Sequence, residues 1–168
     1  MIGYWLLQSL QNALPERQVC ALLNQTLVSA ADPAFTDPAK FVGPVYDRTE
    51  AERLAAERGW TVKQDGAHWR RVVPSPRPQR VVETRLIRLL LNSGAVAVCA
   101  GGGGVPVIRD EQGQLTGVEA VVDKDLTAAS WPRRSTPTRS CCSRTYLMCR
   151  SDTAPPAPCP SDGPRPRP

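Results

Sequence analysis

The sequence AVAVCAGGGGVPV, at residues 95–107, places a short apolar run directly before four consecutive glycines. The run at 95–100 is apolar at every position, which predicts a central parallel strand covered on both faces. The glycines at 101–104 allow backbone N–H groups to approach phosphate oxygens with no side chain in the way. A tight turn between two strands would use the same residues, and the spacing fits neither a P-loop nor GxGxxG. The loop alone is therefore a weak indication of a phosphate site.

The motif Asp123-Lys124-Asp125 lies where a predicted strand ends and a predicted helix begins at Leu126. The N-terminus of a helix favours anions. A lysine there can neutralise charge on a transferring phosphoryl group, and an adjacent carboxylate can hold the ammonium in place. The alternative interpretation is a solvated, charged helix cap. Taken with the glycine loop, the motif favours a phosphoryl-transfer site.

Hydrophobic periodicity and turn residues predict alternating helices and strands on both sides of these motifs. The predicted elements are helices over 2–13, 49–58 and 82–91, a buried strand over 19–28, a hairpin of 61–63 with 68–73, and a strand pair of 105–109 with 115–122. Thr49 and Glu52 have the spacing of a capping box, and Gly59 and Gly94 mark helix ends. The predicted fold class is therefore α/β with a small β-rich excursion.

The composition changes at about residue 130. The segment 130–168 holds 7 of the 21 Lys and Arg residues but 2 of the 16 Asp and Glu residues, so the net charge of +5 resides there. It has no periodicity, and we therefore expect no nucleic-acid function. Its cysteines lack the paired spacing of a zinc site, so no metal site is predicted, and Cys20 and Cys99 are expected to be inert core residues.

The segment 130–168 has two interpretations. Its composition is compatible with a disordered, solvated tail. Alternatively, it is translated out of frame. Each restored codon is taken as the third base of one tail codon and the first two of the next. With serine read as TCN, Ser140-Cys141-Cys142-Ser143 then gives four codons with T in the middle, which encode apolar residues. GC-rich codon choices then restore LAEALDADALLLLTDVP, an amphipathic helix, a strand and a turn. We favour the frameshift hypothesis.

The chain is expected to be cytoplasmic and not to contact a membrane. Residues 2–7 lack the basic region and cleavage site of a signal peptide. No apolar run approaches the ~20 residues of a membrane span. Helical spacing from residue 2, with no preceding cap, also suggests that upstream sequence is missing.

These residues together resemble the central segment of carbamate kinase, in the amino acid kinase superfamily. The strongest matches are CAGGGGVPV at 99–107 and GVEAVVDKDLTAA at 117–129. The match extends to MIGYWLLQSLQNAL at 1–14, DPAFTDPAKFVGPVY at 32–46, AERLAAERGW at 51–60 and WRRVVPSPRPQRVVE at 69–83. It covers essentially all of residues 1–129, and the restored-frame LLLLTDVP also resembles the family's next strand.

The resemblance implies part of a three-layer αβα sandwich, with a small protruding subdomain at about 29–79. It implies reversible phosphoryl transfer between carbamoyl phosphate and ADP, giving ATP and carbamate, with Mg²⁺, in arginine catabolism and in a homodimer. Lys124 would stabilise the transferring phosphoryl group, Asp125 would orient the active-site lysines, and Lys40 would reach over the carbamoyl phosphate. The residues expected to bind substrate are Gly101, Gly102, Gly103, Gly104 and Asp123.

The family's first strand and Gly-Gly-Asn phosphate loop are expected before residue 1, and its nucleotide-binding half after residue 129. We therefore expect this chain alone to be inactive. One alternative is another small-acid kinase of the superfamily, against which the Lys40 segment and the VPSP connector argue. The other is a non-catalytic interaction protein that presents its Pro/Arg-rich tail as a polyproline ligand.

Overall fold

The computed structural model describes residues 2–99, 101–130, 138–142 and 147–151. The helices are α1 (Ile2–Ala13), α2 (Arg48–Arg58), α3 (Thr84–Asn92) and α4 (Lys124–Ala129), with 3-10 turns at Pro33–Phe35 and Gly101–Gly103. The strands are β1 (Val19–Ala21), β2 (Gln25–Val28), β3 (Lys40–Tyr46), β4 (Thr61–Asp65), β5 (His68–Val73), β6 (Pro78–Val81), β7 (Val96–Cys99), β8 (Val105–Arg109), β9 (Leu115–Gly117), β10 (Thr138–Cys142) and β11 (Leu147–Ser151).

Three sheets organise these strands, in the orders β1-β7-β11-β10, β6-β2-β8-β9 and β3-β5-β4. The α/β prediction is confirmed. β7 is buried at every position, as predicted for the run before the glycines. Its pairing is mixed, because it runs parallel to β1 and antiparallel to β11.

The single strand predicted at 19–28 is wrong, because the chain forms two strands there in two different sheets. β1 pairs with β7, and β2 pairs in parallel with β8. Those two partners lie on either side of the glycine loop, so the chain must step from one sheet to the other at residues 22–24. Backbone hydrogen bonds fasten both ends of the step: Leu22 N–H donates to Val98 O, and Val105 N–H donates to Asn24 O, both at 2.9 Å.

The start of α2 also differs from the prediction. Asp47 is the N-cap, and its carboxylate accepts from the Glu50 backbone N–H at 2.8 Å. The predicted capping box of Thr49 and Glu52 does not form, because Glu52 accepts from Arg48 at 2.7 Å instead. The helix ends at Gly59, in the left-handed conformation (φ 66°), as predicted.

Residues 78–81, between the predicted hairpin and the predicted helix at 82–91, form a strand that was not predicted. β6 pairs with β2 in an antiparallel arrangement. α3 begins two residues after the predicted start at 82. Glu83, immediately before α3, accepts from the backbone N–H and side-chain amide of Gln25, at 2.8 and 3.1 Å. This carboxylate therefore ties the start of α3 to β2.

The sheet β3-β5-β4 falls within the predicted excursion and shares no hydrogen-bonded strand with the other two sheets, among the described residues. Its β4–β5 hairpin turns at Gly66 (φ 62°), as predicted. Trp60 lies beside the guanidinium groups of Arg58 and Arg71, whose carbon atoms are 4.9 and 4.6 Å from its ring centre. That 29–79 forms a protruding subdomain stays a prediction.

The main buried cluster joins α3 to the sheets and comprises Val81, Ile87, Leu91, Ala97 and Cys99, with Cys20, Leu22 and Ala128 packed against it. Both predicted core cysteines are in this region. Burial raises the pKa of the Cys20 thiol, which lowers its reactivity as a nucleophile. In the described parts of the chain, no helix is both long and apolar enough to cross a bilayer.

Two strands form within the segment 130–168, at Thr138–Cys142 and Leu147–Ser151. β10 and β11 make an antiparallel hairpin, and β11 pairs with β7. The remaining predictions for residues 131–137, 143–146 and 152–168 lie outside the described residues. The frameshift hypothesis stays a prediction.

Candidate functional site

The glycine loop turns sharply between β7 and β8, in backbone conformations that residues with side chains rarely adopt. Gly102, Gly103 and Gly104 have φ values of 65°, 92° and 86°. A Cβ on Gly103 would overlap the backbone carbonyl of Val122. A Cβ on Gly104 would lie 2.5 Å from Thr26 Oγ1. The loop therefore needs glycine at 103 and 104 for space as well as for backbone freedom.

Two buried threonines fasten this loop. Thr26 Oγ1, on β2, donates to Gly103 O at 2.6 Å, and Thr127 Oγ1, on α4, lies 3.1 Å from the same oxygen. Neither threonine was a predicted site residue. No local signal marked either residue, since Thr26 follows the polar Gln25 in β2 and Thr127 is the only buried residue of a short helix that begins with Lys124 and Asp125.

Asp123 determines where α4 begins. Its Oδ1 accepts from the backbone N–H groups of Asp125 and Leu126, at 2.9 and 3.2 Å. The helix therefore starts at Lys124 rather than at Leu126. A carboxylate at the N-cap satisfies two N–H groups that have no partner within the helix.

The other oxygen of Asp123 binds Lys40. Lys40 Nζ lies 3.1 Å from Asp123 Oδ2, although 83 residues separate them in the chain. Burial alone would raise the pKa of Asp123, but Lys40 and the backbone N–H groups of Leu126 and Asp125 outweigh it and hold the pKa below its usual value. This ion pair brings β3 of the small sheet to the start of α4.

Lys124 pairs with its neighbour, Asp125, at 3.0 Å. Asp125 therefore contacts one of the two lysines, and Asp123 contacts the other, while the role of Asp125 in orienting the active-site lysines stays a prediction. The sequence contains three lysines. Two of them meet at the Asp123–Asp125 segment, and the third, Lys63, pairs with Asp37.

The structure thus brings the predicted site residues together. The loop at 101–104 and the segment 123–125 are joined by Thr127, whose hydroxyl lies 3.1 Å from Gly103 O and 3.0 Å from Asp123 O. Lys40 reaches the same place from β3. The catalytic and substrate-binding roles of these residues stay predictions.

No three His, Cys, Asp or Glu side chains are grouped to hold a metal ion in the part of the chain that the structure describes. The carboxylates of Asp123 and Asp125 are both engaged by lysines.

No family model matches the sequence. Among curated proteins, a carbamate kinase of Haemophilus influenzae is 52% identical over 130 residues, which are 77% of this chain and 42% of that protein. A carbamate kinase of Rhizobium meliloti is 53% identical over 132 residues, with 77% of this chain and 41% of that protein covered. The chain spans about two fifths of the length of these relatives.

Solved structures give the same result for the fold. A crystal structure from Aeropyrum pernix K1 superposes with a TM-score of 0.70 at 44% identity, covering 74% of this chain and 42% of that one. The carbamate kinase of Giardia lamblia bound to citric acid gives a TM-score of 0.66 at 40% identity, with 74% and 42% covered. Over about three quarters of its length, this chain is therefore homologous to the carbamate kinases and carries part of their amino acid kinase fold.

Proposed function

We propose that this chain supplies one part of a carbamate kinase site, which transfers a phosphoryl group between carbamoyl phosphate and ADP to give ATP and carbamate. The observation that carries the proposal is the convergence of Lys40, Lys124 and the glycine loop at the start of α4. Two ammonium groups beside a loop without side chains suit a phosphorylated substrate. Identity near 50% to carbamate kinases favours carbamoyl phosphate among such substrates.

The chemistry needs positioning and charge rather than a protein nucleophile. Lys124 would neutralise the oxygens of the phosphoryl group as negative charge shifts onto the leaving group. Lys40 would exchange its contact with Asp123 for one with the substrate. Asp123 and Asp125 would hold the two ammonium groups apart, and the glycine loop would line the pocket with backbone N–H groups.

ADP and ATP are the proposed nucleotides. The Giardia lamblia carbamate kinase has been solved with AMP-PNP bound, at a TM-score of 0.64 and 40% identity to this chain, with 74% and 41% covered. Mg²⁺ would accompany the nucleotide phosphates and neutralise part of their charge. The relationship to carbamate kinases also favours a cytoplasmic protein of arginine catabolism. The full-length relatives are proposed to be homodimers.

We further propose that this chain alone binds carbamoyl phosphate but forms no ATP. It spans about two fifths of the length of its relatives, and phosphoryl transfer requires both substrates to be held in line. Binding of carbamoyl phosphate by isothermal titration tests the first half. Release of ATP from carbamoyl phosphate, ADP and Mg²⁺, measured with luciferase, tests the second.

Lysine variants give the experiment its controls. Lys124→Ala and Lys40→Ala are expected to weaken carbamoyl phosphate binding about tenfold, the loss of one charge-assisted contact of about 1.4 kcal/mol. Lys63→Ala removes the same charge from a lysine that pairs with Asp37 instead, and its binding should equal that of the wild type. Equal binding by all three variants would contradict the proposed site. ATP formation that is lost in Lys124→Ala would confirm the kinase chemistry but overturn the prediction of inactivity.

A further inference from the structure

The carbonyl oxygen of Gly103 lies within hydrogen-bond distance of hydroxyl groups on two separate elements. Thr26 Oγ1 approaches from β2 at 2.6 Å, and Thr127 Oγ1 approaches from α4 at 3.1 Å. Both threonines are 0% exposed. A buried hydroxyl without a hydrogen bond is costly, so Gly103 O is the acceptor of Thr26, while Thr127 shares its single proton between Gly103 O and the carbonyl of Asp123.

These hydroxyls fix the direction of a whole peptide group. The peptide bond between Gly103 and Gly104 is planar and trans, so its N–H points opposite to its carbonyl. That N–H faces the inside of the turn, where it lies 3.3 Å from Gly101 O. Rotation of the carbonyl away from the threonines would therefore also open the turn.

The Thr127 hydroxyl also connects the loop to the charged residues. Thr127 Oγ1 also lies 3.0 Å from the backbone carbonyl of Asp123, whose side chain caps α4 and binds Lys40. We propose that Thr26 and Thr127 are positioning residues that hold the glycine loop in register with Asp123 and Lys124. Their role in ligand binding rests on the proposed function, whereas their hold on the loop does not.

Paired substitutions separate the hydroxyl from the bulk of each side chain. Thr26→Val and Thr127→Val keep the branched shape and remove the hydrogen bond. Thr26→Ser and Thr127→Ser keep the hydroxyl and remove the methyl group. A positioning role predicts that serine behaves like threonine and that valine does not. A role in packing alone predicts the reverse.

The measurement uses the full chain labelled with ¹⁵N-glycine, which has 12 glycines. We expect both valine variants to shift the amide signals of the glycines at 101–104, while distant signals such as that of Gly59 stay in place. Titration with carbamoyl phosphate should show about five- to tenfold weaker binding in the valine variants and wild-type binding in the serine variants.

Three results would overturn the inference: unchanged loop signals in the valine variants, serine variants that behave like valine variants, or wild-type binding in all four. If a valine variant does not fold, the serine variants provide the test. A serine variant whose loop signals differ from those of the wild type would also overturn the inference. If the wild type does not bind carbamoyl phosphate, the proposed function fails. Loop signals that move with valine and not with serine would still establish the positioning role.

Discussion

Gly103 meets two constraints at once, one of backbone conformation and one of space. Its φ of 92° is unfavourable for residues with a side chain, and an added Cβ would overlap Val122 O. Gly102 has a φ of 65° but open space around it. Substitutions at Gly102 and Gly103 therefore separate the free-energy cost of the backbone conformation from the cost of steric overlap.

We predict that Gly103→Ala destabilises the protein by more than Gly102→Ala. Gly102→Ala should cost about 1 kcal/mol for the left-handed conformation. Gly103→Ala should cost about 3 kcal/mol or more, because the backbone of Val122 must also move. The free energies of unfolding in urea test this, and equal costs would show that the close approach to Val122 is relaxed without loss.

Asp123 is expected to make stability depend on pH. Its pKa is below the usual value in the folded protein, so its contribution is present above the unfolded pKa and is lost as pH falls through the folded value. We predict that the wild type is more stable than Asp123→Asn at pH 7, by about 0.5 kcal/mol for this partly exposed pair. The difference should close below about pH 4.

Urea unfolding of both proteins at pH 7, 5 and 3 measures the change. Asn is also a good N-cap, so the substitution mainly removes the ion pair with Lys40. Asp37→Asn removes the Lys63 ion pair, and its 81% exposed carboxylate should matter less at pH 7. A wild-type advantage over Asp123→Asn that stays constant with pH would contradict the assignment.

At the scale of elements, local sequence signals located the helices correctly. They failed for strands whose pairing depends on residues far away in the chain. The helix Ile2–Ala13 was predicted correctly because its signals are local: apolar residues recur at helical spacing within it, and Pro15 follows its last residue closely. The division of 19–28 between two sheets depends on β7 and β8, which lie 77 and 80 residues further along the chain. No local pattern contains that information. The Lys40–Asp123 contact is equally distant, and Lys40 was found through a family resemblance rather than from its own surroundings.

The N-cap of α2 offers a direct test of local prediction against structure. The structure assigns the cap to Asp47, while the sequence pattern suggested Thr49. We predict that Asp47→Ala costs about 1 kcal/mol and that Thr49→Ala is close to neutral, because alanine is a good helix former at that position. Amide exchange in the first turn of α2 measures both. A larger loss of protection in Thr49→Ala would restore the original prediction.

At the scale of the whole molecule, residues 130–168 differ in charge and composition from everything before them. We propose that this segment is translated out of frame. We predict that the coding DNA downstream of codon 129, translated in the shifted frame, encodes a sequence similar to LAEALDADALLLLTDVP, which would form a helix and a strand. Sequencing of the locus measures this. DNA that offers no such frame would end the hypothesis.

The hairpin of β10 and β11 nevertheless has a structural consequence, because β11 pairs with β7. β7 is buried at every position and would present an apolar, unpaired edge without this partner. We therefore predict that a chain ending at residue 130 associates, with a higher mass in light scattering, and that a chain ending at 151 does not. The second chain retains both strands and is the matched control. Equal association by the two chains would show that β11 does not protect β7.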